Sequence, residues 1–229
     1  MNILAIGAHP DDIDIYAAGT LLKCVERGDV VKLCVVTSGN IGHYDYSRTE
    51  LAKIRKKEQM NSAEILGAET MFLGMDERIV DDTPIRNAII NAIRWANPDV
   101  IFTHWPNDSS VDHHIIGQIV KESLLCLKWK NQQTEYPPIS KLPKVFFWDP
   151  NGGFNFQPEQ YVDITAQMEK KKQMLACHKS QVELEQDYMR VTEVLGAFRG
   201  LQSGYVYAEG FKAHMSTLKS VLSTFNGTL

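Results

Sequence analysis

The sequence is poor in the features that mark several large protein classes. Its four cysteines, Cys24, Cys34, Cys126 and Cys177, are scattered without a C-x-x-C spacing, which argues against both a thiolate zinc motif and a disulfide framework. No run of about 18 apolar residues occurs, and no basic region precedes a long apolar segment after Met1-Asn2-Ile3-Leu4. A membrane span and a secretory leader are therefore not expected, and the expected location is cytoplasmic. Lysine and arginine number 24 against 28 aspartates and glutamates, a net charge of -4, so there is no basic field for nucleic acid. Repeats, linkers and low-complexity tracts are missing, and with 44% apolar content over 229 residues the chain is expected to form one domain, residues 1–229.

What is present is a strand-like apolar run, Ile3 to Ile6, that stops at Gly7-Ala8-His9-Pro10-Asp11-Asp12. The pattern then alternates. A helix is predicted over Ala17–Arg27 with Gly28 as its stop, and a β-branched strand over Val30–Thr37. Ser47 and Glu50 stand in capping-box spacing at the head of a helix ending at Leu66 and Gly67. A short strand follows at Thr70–Leu73, then a helix at Ile85–Ala96 capped by Thr83 with Pro84 in its first turn, and a strand at Asp99–Thr103. Later elements are a helix at Ile115–Leu127, a strand at Val145–Trp148, helices at Thr165–Ala176 and Gln181–Ala197, and a strand at Tyr205–Ala208. Alternation of this kind implies an α/β fold, a Rossmann-like three-layer sandwich with a mostly parallel central sheet.

Two polar loops follow predicted strands, where open parallel sheets place their ligands. The first carries His9, Asp11 and Asp12; the second runs His104-Trp105-Pro106-Asn107-Asp108-Ser109-Ser110-Val111-Asp112-His113-His114. A catalytic zinc site uses three nitrogen or oxygen ligands and keeps one position open. His9, Asp12 and His113 supply such a set, and Asp11 would lie beside the open position as the base that takes a proton from the activated water. Asp112 is placed to cap the helix that follows and to orient a ligand. A dinucleotide site is disfavoured, because Gly7-Ala8-His9-Pro10-Asp11 puts a proline and an acid where phosphates would approach. A bland reading, with His9 ending a strand and Asp11 or Asp12 capping a helix, leaves the second loop unexplained.

Together, Ala8-His9-Pro10-Asp11-Asp12-Ile13-Asp14, Arg55-x-x-Glu58, Asn107-Asp108 leading to Asp112-His113, and Cys177-His178-Lys179-Ser180-Gln181 resemble the PIG-L/LmbE-like family of zinc-dependent N-deacetylases. The resemblance runs from Asn2 to about Phe211. It implies hydrolysis of an acetamide on an N-acetylglucosamine-type sugar or conjugate, with His9, Asp12 and His113 as ligands to Zn2+, Asp11 as general base and Arg55 near the substrate. Fe2+ or Co2+ would suit the same donors. The partner is then a small N-acetylated sugar or sugar conjugate, and a homo-oligomer is compatible with the sequence. His43, Ser110 and His178 are further candidates for substrate contact.

The family reads His-x-Asp-His at the second motif, its first histidine supported by the aspartate and stabilising the oxyanion. Ser110 stands in that place here, and losing one such donor costs about 10²–10³ in turnover. Either His114, His43 or His178 substitutes, or the chain is a slow or non-catalytic, metal-containing sugar-binding protein. A third reading is an amide hydrolase acting on a non-sugar substrate. His104 and His214 are expected to be structural, while Trp105, Trp148, Phe154 and Phe156 either stack on a sugar ring or pack beneath loops.

Overall fold

A computed structural model describes residues 1–184 and 187–214. Its core is a seven-stranded sheet in the order β3-β2-β1-β4-β5-β7-β6. The strands are β1 (Asn2–Gly7), β2 (Val30–Thr37), β3 (Glu69–Met75), β4 (Val100–Thr103), β5 (Lys144–Trp148), β6 (Gln160–Asp163) and β7 (Ala208–Ala213). The first five pair in parallel; β7 runs antiparallel to β5, and β6 antiparallel to β7.

Alternating side chains along the strands feed two separate cores. Ile3 and Ala5 face one layer with Leu21, Leu22, Leu66, Met174 and Leu175, whereas Leu4 and Ile6 face the other with Ile85, Ile89, Ile93, Ile116 and Ile119. The first layer is supplied mainly by α2 (Ala18–Glu26), α3 (Arg48–Leu66) and α6 (Met168–Leu175), the second by α4 (Thr83–Ala96) and α5 (Val111–Ser123). Strands covered on both faces read as near-continuous apolar runs, which is why β1, β2 and β5 were predictable. The chain passes from β1 outward to β3 and then returns to β4 on the other side of β1. That reversal opens a crevice at the carboxyl ends of β1 and β4, where both polar loops emerge.

Several boundaries differ from the sequence expectation. The helix predicted from Ala17 is preceded by a one-turn helix, α1 (Asp12–Tyr16), because Ala17 at φ -139° breaks the helical path between them. The capping box of Ser47 and Glu50 is formed, but α4 is capped by Asp82 rather than Thr83, its Oδ1 accepting from the Ile85 N–H at 3.1 Å. Helix α5 begins four residues earlier than predicted. Ser110 takes its N-cap position, so Asp112 lies inside the first turn and is not the cap. Strand β6 falls in a stretch to which the sequence assigns no element, and β7 lies almost wholly beyond the predicted Tyr205–Ala208. β6 is the edge strand and β7 lies between it and β5; both gain their ladder from tertiary pairing more than from propensity. The predicted helix Gln181–Ala197 is two helices, α7 (Lys179–Val182) and α8 (Tyr188–Ser203), and spans residues 185 and 186, which lie outside the described residues. Among the described residues, no helix is long and apolar enough to cross a membrane.

Candidate metal centre and active site

Strand β1 delivers the first loop through a tight turn. A Cβ on Gly7 would stand 3.1 Å from Ile13 Cγ1 and 3.2 Å from Asp12 Cβ, so glycine there lets α1 fold back against the strand end. Asp11 sits at φ 112°, a left-handed conformation costing about 1–3 kcal/mol for a non-glycine residue. Its surroundings hold it there. The Asp11 carbonyl accepts from Asp14 and Ile15 N–H at 2.9 and 3.0 Å, and its own N–H donates to Gln59 Oε1 at 3.3 Å. The Asp11 carboxylate lies against Arg55, whereas that of neighbouring Asp12 lies among His9, His104 and His113.

Three donor groups converge. His113 Nε2 is 3.3 Å from His9 Nδ1 and 3.2 Å from Asp12 Oδ1, and His9 Nδ1 is 3.4 Å from Asp12 Oδ2. Ligands at roughly 2.0–2.1 Å from a tetrahedral ion are themselves about 3.3–3.4 Å apart, so this spacing fits zinc. The far nitrogen of each imidazole is held by a carboxylate. His9 Nε2 donates to Asp112 Oδ2 at 3.1 Å, and His113 Nδ1 donates to Asp108 Oδ2 at 3.0 Å, which leaves His9 Nδ1 and His113 Nε2 aimed at the shared centre. Asp112 is fixed in turn by the N–H groups of Arg78 and Ile79 at 3.0 and 3.1 Å. His104, Asp108 and His113 form a second grouping of metal-ligating types, but His104 is wholly buried and does not line the cavity. The His9, Asp12 and His113 set opens onto it.

Electrostatics follow from the same contacts. Burial pulls the His9 imidazole down, yet the Asp12 charge and the hydrogen bonds with Asp112 and Asp12 outweigh it and raise its pKa to about 9. For His113, burial is likewise outweighed by Asp12 and Asp108, giving about 10. Burial opposes ionisation of Asp12, but the surrounding histidines His113, His104 and His9 hold its carboxyl well below the usual range. Asp11 goes the other way. Burial raises its pKa, and the Arg55 guanidinium only partly offsets that rise.

Arg55 is buried. Its Nη2 lies 3.1 Å from Asp11 Oδ1 and donates to the Pro10 carbonyl at 2.5 Å, and its Nη1 donates to the Gly39 carbonyl at 3.0 Å. Glu58 instead receives the N–H and hydroxyl of Ser180 at 2.8 and 2.6 Å, tying α3 to α7. The His178 motif is thus a structural clasp as well as a cavity wall. His178 is fully buried with Nε2 2.5 Å from Asp14 Oδ2, while Gln181 reaches the cavity.

The cavity, of about 370 Å³, is lined by His9, Asp11, Asp12, Arg55, Ser110 and His113, with Tyr16, Glu77, Asn151, Gln181 and Tyr188 among the others. It therefore brings together most of the predicted set. His43 and His178 do not line it: His43 accepts the Asp45 N–H at Nδ1 and lies against Tyr46. His114 is exposed on α5. None of the three histidines considered as substitutes for the missing oxyanion histidine reaches the cavity.

His104, expected to be structural, has a closer part in the centre: it accepts the Trp148 indole N–H at Nδ1 and places Nε2 3.1 Å from Asp12 Oδ2. Its position at the carboxyl end of β4 was the available signal. The second motif names Asp108 without a role, and Glu77 was missed. Glu77 comes within 3.7 Å of His9 Nε2 from the loop after β3, a proximity that sequence spacing does not encode. Of the loop aromatics, Trp148 and Phe156 are buried and Trp105 packs on Phe147 and Phe156, whereas Phe154 is 77% exposed.

Residues 4–124, just over half of the chain, match the family PIG-L: GlcNAc-PI de-N-acetylase. The chain is 29% identical to diacetylchitobiose deacetylase of Thermococcus kodakarensis, over 92% of this chain and 82% of that one. It is 25% identical to 4-oxalmesaconate hydratase of Pseudomonas putida, over 93% and 88%. The solved N,N'-diacetylchitobiose deacetylase of Pyrococcus horikoshii superposes with a TM-score of 0.82 at 26% identity, covering 95% of this chain and 87% of that one.

Proposed function

This chain belongs to the PIG-L family, and on that premise we propose that it is a metal-dependent hydrolase removing the acetyl group from an N-acetylated amino sugar or sugar conjugate. The observation that carries this reading is the convergence of His9 Nδ1, Asp12 and His113 Nε2 at 3.2–3.4 Å, with the Asp11 carboxylate beside them. These donors would hold Zn2+, and Fe2+ or Co2+ would suit them as well. When bound, such an ion supplies Lewis acidity and makes water a nucleophile near neutral pH.

Asp11 takes the proton from the attacking water as the new carbon–oxygen bond forms. The same carboxyl then delivers that proton to the amine nitrogen as the carbon–nitrogen bond breaks, so acetate and a free amine leave. A raised pKa, set by burial and restrained by Arg55, suits a group that must hold the proton between the two steps. Arg55 fixes the Asp11 carboxylate and faces the substrate, and Ser110 offers its hydroxyl to the carbonyl oxygen. Asp112 and Asp108 keep the two imidazoles in the ligating tautomer. Gln181 and Asn151, which also line the cavity, supply further polar contacts.

The hydratase relative makes water addition to an unsaturated acid the second reading. Water addition to a double bond releases no acetate, so acetate release separates the two readings. We read the chain as one domain working in the cytoplasm, in keeping with its free cysteines.

The test is acetate release from a panel of N-acetylglucosamine derivatives by zinc-loaded protein, beside Asp11→Asn. Activity removed by a chelator, restored by metal and abolished in Asp11→Asn is the expected result. Sugar binding without acetate release across the panel would replace this reading with that of a binding protein.

A further inference from the structure

Helix α1 carries a polar side chain to which nothing so far gives a part. Tyr16 is only 4% exposed, yet it lines the cavity with His9, Asp12 and His113. Its hydroxyl has no hydrogen-bond partner among the described residues, and its oxygen is open to the cavity instead of being sealed in the core. A buried hydroxyl is ordinarily hydrogen-bonded, so one left open toward a polar cavity points to an atom of a ligand. Tyr16 also stands four residues after Asp12, which puts the two on the same face of α1.

The ring is held on three sides. It stacks on Trp148 with centroids 6.2 Å apart and 21° between the planes, and it meets His104 and His113 nearly at right angles, each at 6.3 Å. Trp148 is itself pinned, its indole N–H donating to His104 Nδ1 at 3.2 Å. Tyr16 also borders a smaller cleft holding Asp149, Lys171 and Glu209, but its oxygen answers to the other side. Burial is the largest influence on the phenol, and the groups that act on it next are Asp12, Asp108, Tyr188 and Asp11. All of them push its pKa up, so the group stays protonated and can donate. Two other donors of the cavity are committed. Arg55 uses Nη1 and Nη2 on the Gly39 and Pro10 carbonyls and Asp11, and Gln181 uses Nε2 on the Ser180 and Gly42 carbonyls.

We infer that the Tyr16 hydroxyl donates a hydrogen bond to the acyl oxygen of the substrate and is the principal oxyanion donor of this chain, in which Ser110 stands in the place of the family histidine. The inference rests on the deacetylase reading. As water adds to the carbonyl carbon, the π pair moves onto the acyl oxygen and the hydrogen bond from Tyr16 strengthens. When the carbon–nitrogen bond breaks the pair returns, and Tyr16 keeps its proton throughout. A donor clamped by Trp148, His104 and His113 needs no reorganisation as that charge develops, which is the condition for strong electrostatic stabilisation. The replacement sought among His43, His114 and His178 is then a tyrosine two positions beyond the first motif, Ala8–Asp14.

Tyr16→Phe keeps the ring and its packing and removes only the hydroxyl; thermal melting checks that the variant folds. In the zinc-loaded full chain its kcat should fall about 10²–10³-fold on N-acetylglucosamine derivatives, with KM and zinc affinity within about 3-fold of wild type. Calorimetric titration reads the same contact without turnover. The probe is the methylphosphonamidate analogue of N-acetylglucosamine, whose tetrahedral phosphorus carries oxygens where the oxyanion forms. Tyr16→Phe should weaken its binding by about 10²-fold, while N-acetylglucosamine itself, titrated in Asp11→Asn with and without Tyr16→Phe, should change by no more than about 3-fold. Unchanged turnover or unchanged analogue affinity in Tyr16→Phe overturns the inference, as does a larger loss of kcat in Ser110→Ala than in Tyr16→Phe, which would assign the role to the serine. If wild type releases no acetate from any derivative, the deacetylase reading fails and the analogue alone decides: weaker binding to Tyr16→Phe supports the donor role, and equal or absent binding in both proteins overturns it.

Discussion

Asp112 Oδ2 lies 3.1 Å from His9 Nε2, joining the loop after β1 to the first turn of α5. That contact decides which imidazole nitrogen of His9 is free to ligate. It also gives the aspartate a role although Ser110 stands where its histidine partner would be in the family pattern: here Asp112 holds the candidate ligand His9 and the backbone of Arg78 and Ile79.

Asp112→Ala should therefore weaken metal binding by about 10–100-fold, the usual cost of losing a group that orients a ligating histidine. Competition against a chromophoric chelator measures it. Asp108→Ala should do the same through His113, since Asp108 Oδ2 is 3.0 Å from His113 Nδ1. Unchanged affinity in both variants would mean that these carboxylates do not set the tautomers.

Metal affinity should rise steeply with pH. Without metal, His9 and His113 hold protons up to about 9 and about 10, and both must be neutral to ligate. Two protons are then released on binding below pH 9, so affinity should climb about 100-fold per pH unit near neutrality and level off above pH 10. The metal-free protein should behave in the opposite sense. Its histidine pKa values are raised above the ordinary 6.5, so the stability they contribute is complete below pH 6.5 and is lost as pH rises through 9 and 10. Titration calorimetry in two buffers of different ionisation enthalpy counts the protons, and melting curves of apo and zinc-loaded protein show the divergence.

Gly39 is a hidden support of the proposed base, Asp11. At φ 60°, its carbonyl accepts from Arg55 Nη1 at 3.0 Å, and a Cβ there would stand 2.4 Å from that same nitrogen. Gly39→Ala should push the guanidinium away from Asp11, lowering kcat by roughly 10-fold or more if Arg55 holds the base in its productive geometry. Zinc affinity should stay within about 3-fold, because no ligand moves with Arg55. A loss of zinc affinity equal to the loss of turnover would show instead that the whole centre had shifted.

The parts of this molecule that were legible in the sequence are those governed by local rules. Strands β1, β2 and β5 declare themselves by continuous apolar runs, α3 by the Ser47 and Glu50 capping box and Gly67, and the convergence of His9, Asp12 and His113 by two polar loops at strand ends. What stayed hidden depends on approach between distant segments. Glu77 meets His9 because β3 lies two strands away in the sheet, and His104 meets Asp12 because β4 pairs with β1; neither follows from spacing along the chain. The burial of Arg55 was hidden for the same reason, since an arginine in a charged helix reads as a solvated face until Pro10 and Gly39 close over it. The antiparallel strands β6 and β7 carry weak local signals because partner strands, more than sequence, make them.

Ser110 is the point at which sequence and site pull apart, and it gives the last prediction. The family pattern places a histidine there as oxyanion donor, and none of His43, His114 or His178 lines the cavity in its stead. Ser110 does line it, with its N–H donated to Asp108 Oδ1 at 2.9 Å, so the main chain is already fixed at the helix start. A serine hydroxyl is short and neutral, whereas an imidazolium from the same Cα reaches further and adds charge-assisted donation. Ser110→His should raise kcat by about 10-fold or more on whichever amide the wild type cleaves, with KM little changed, because a donor aimed at the developing oxyanion acts in the transition state. Ser110→Ala should lower kcat modestly. If Ser110→His lowers turnover while zinc stays bound, the serine is itself fitted to this substrate, and the loss of the family histidine marks a change of substrate instead of a slower version of the same chemistry.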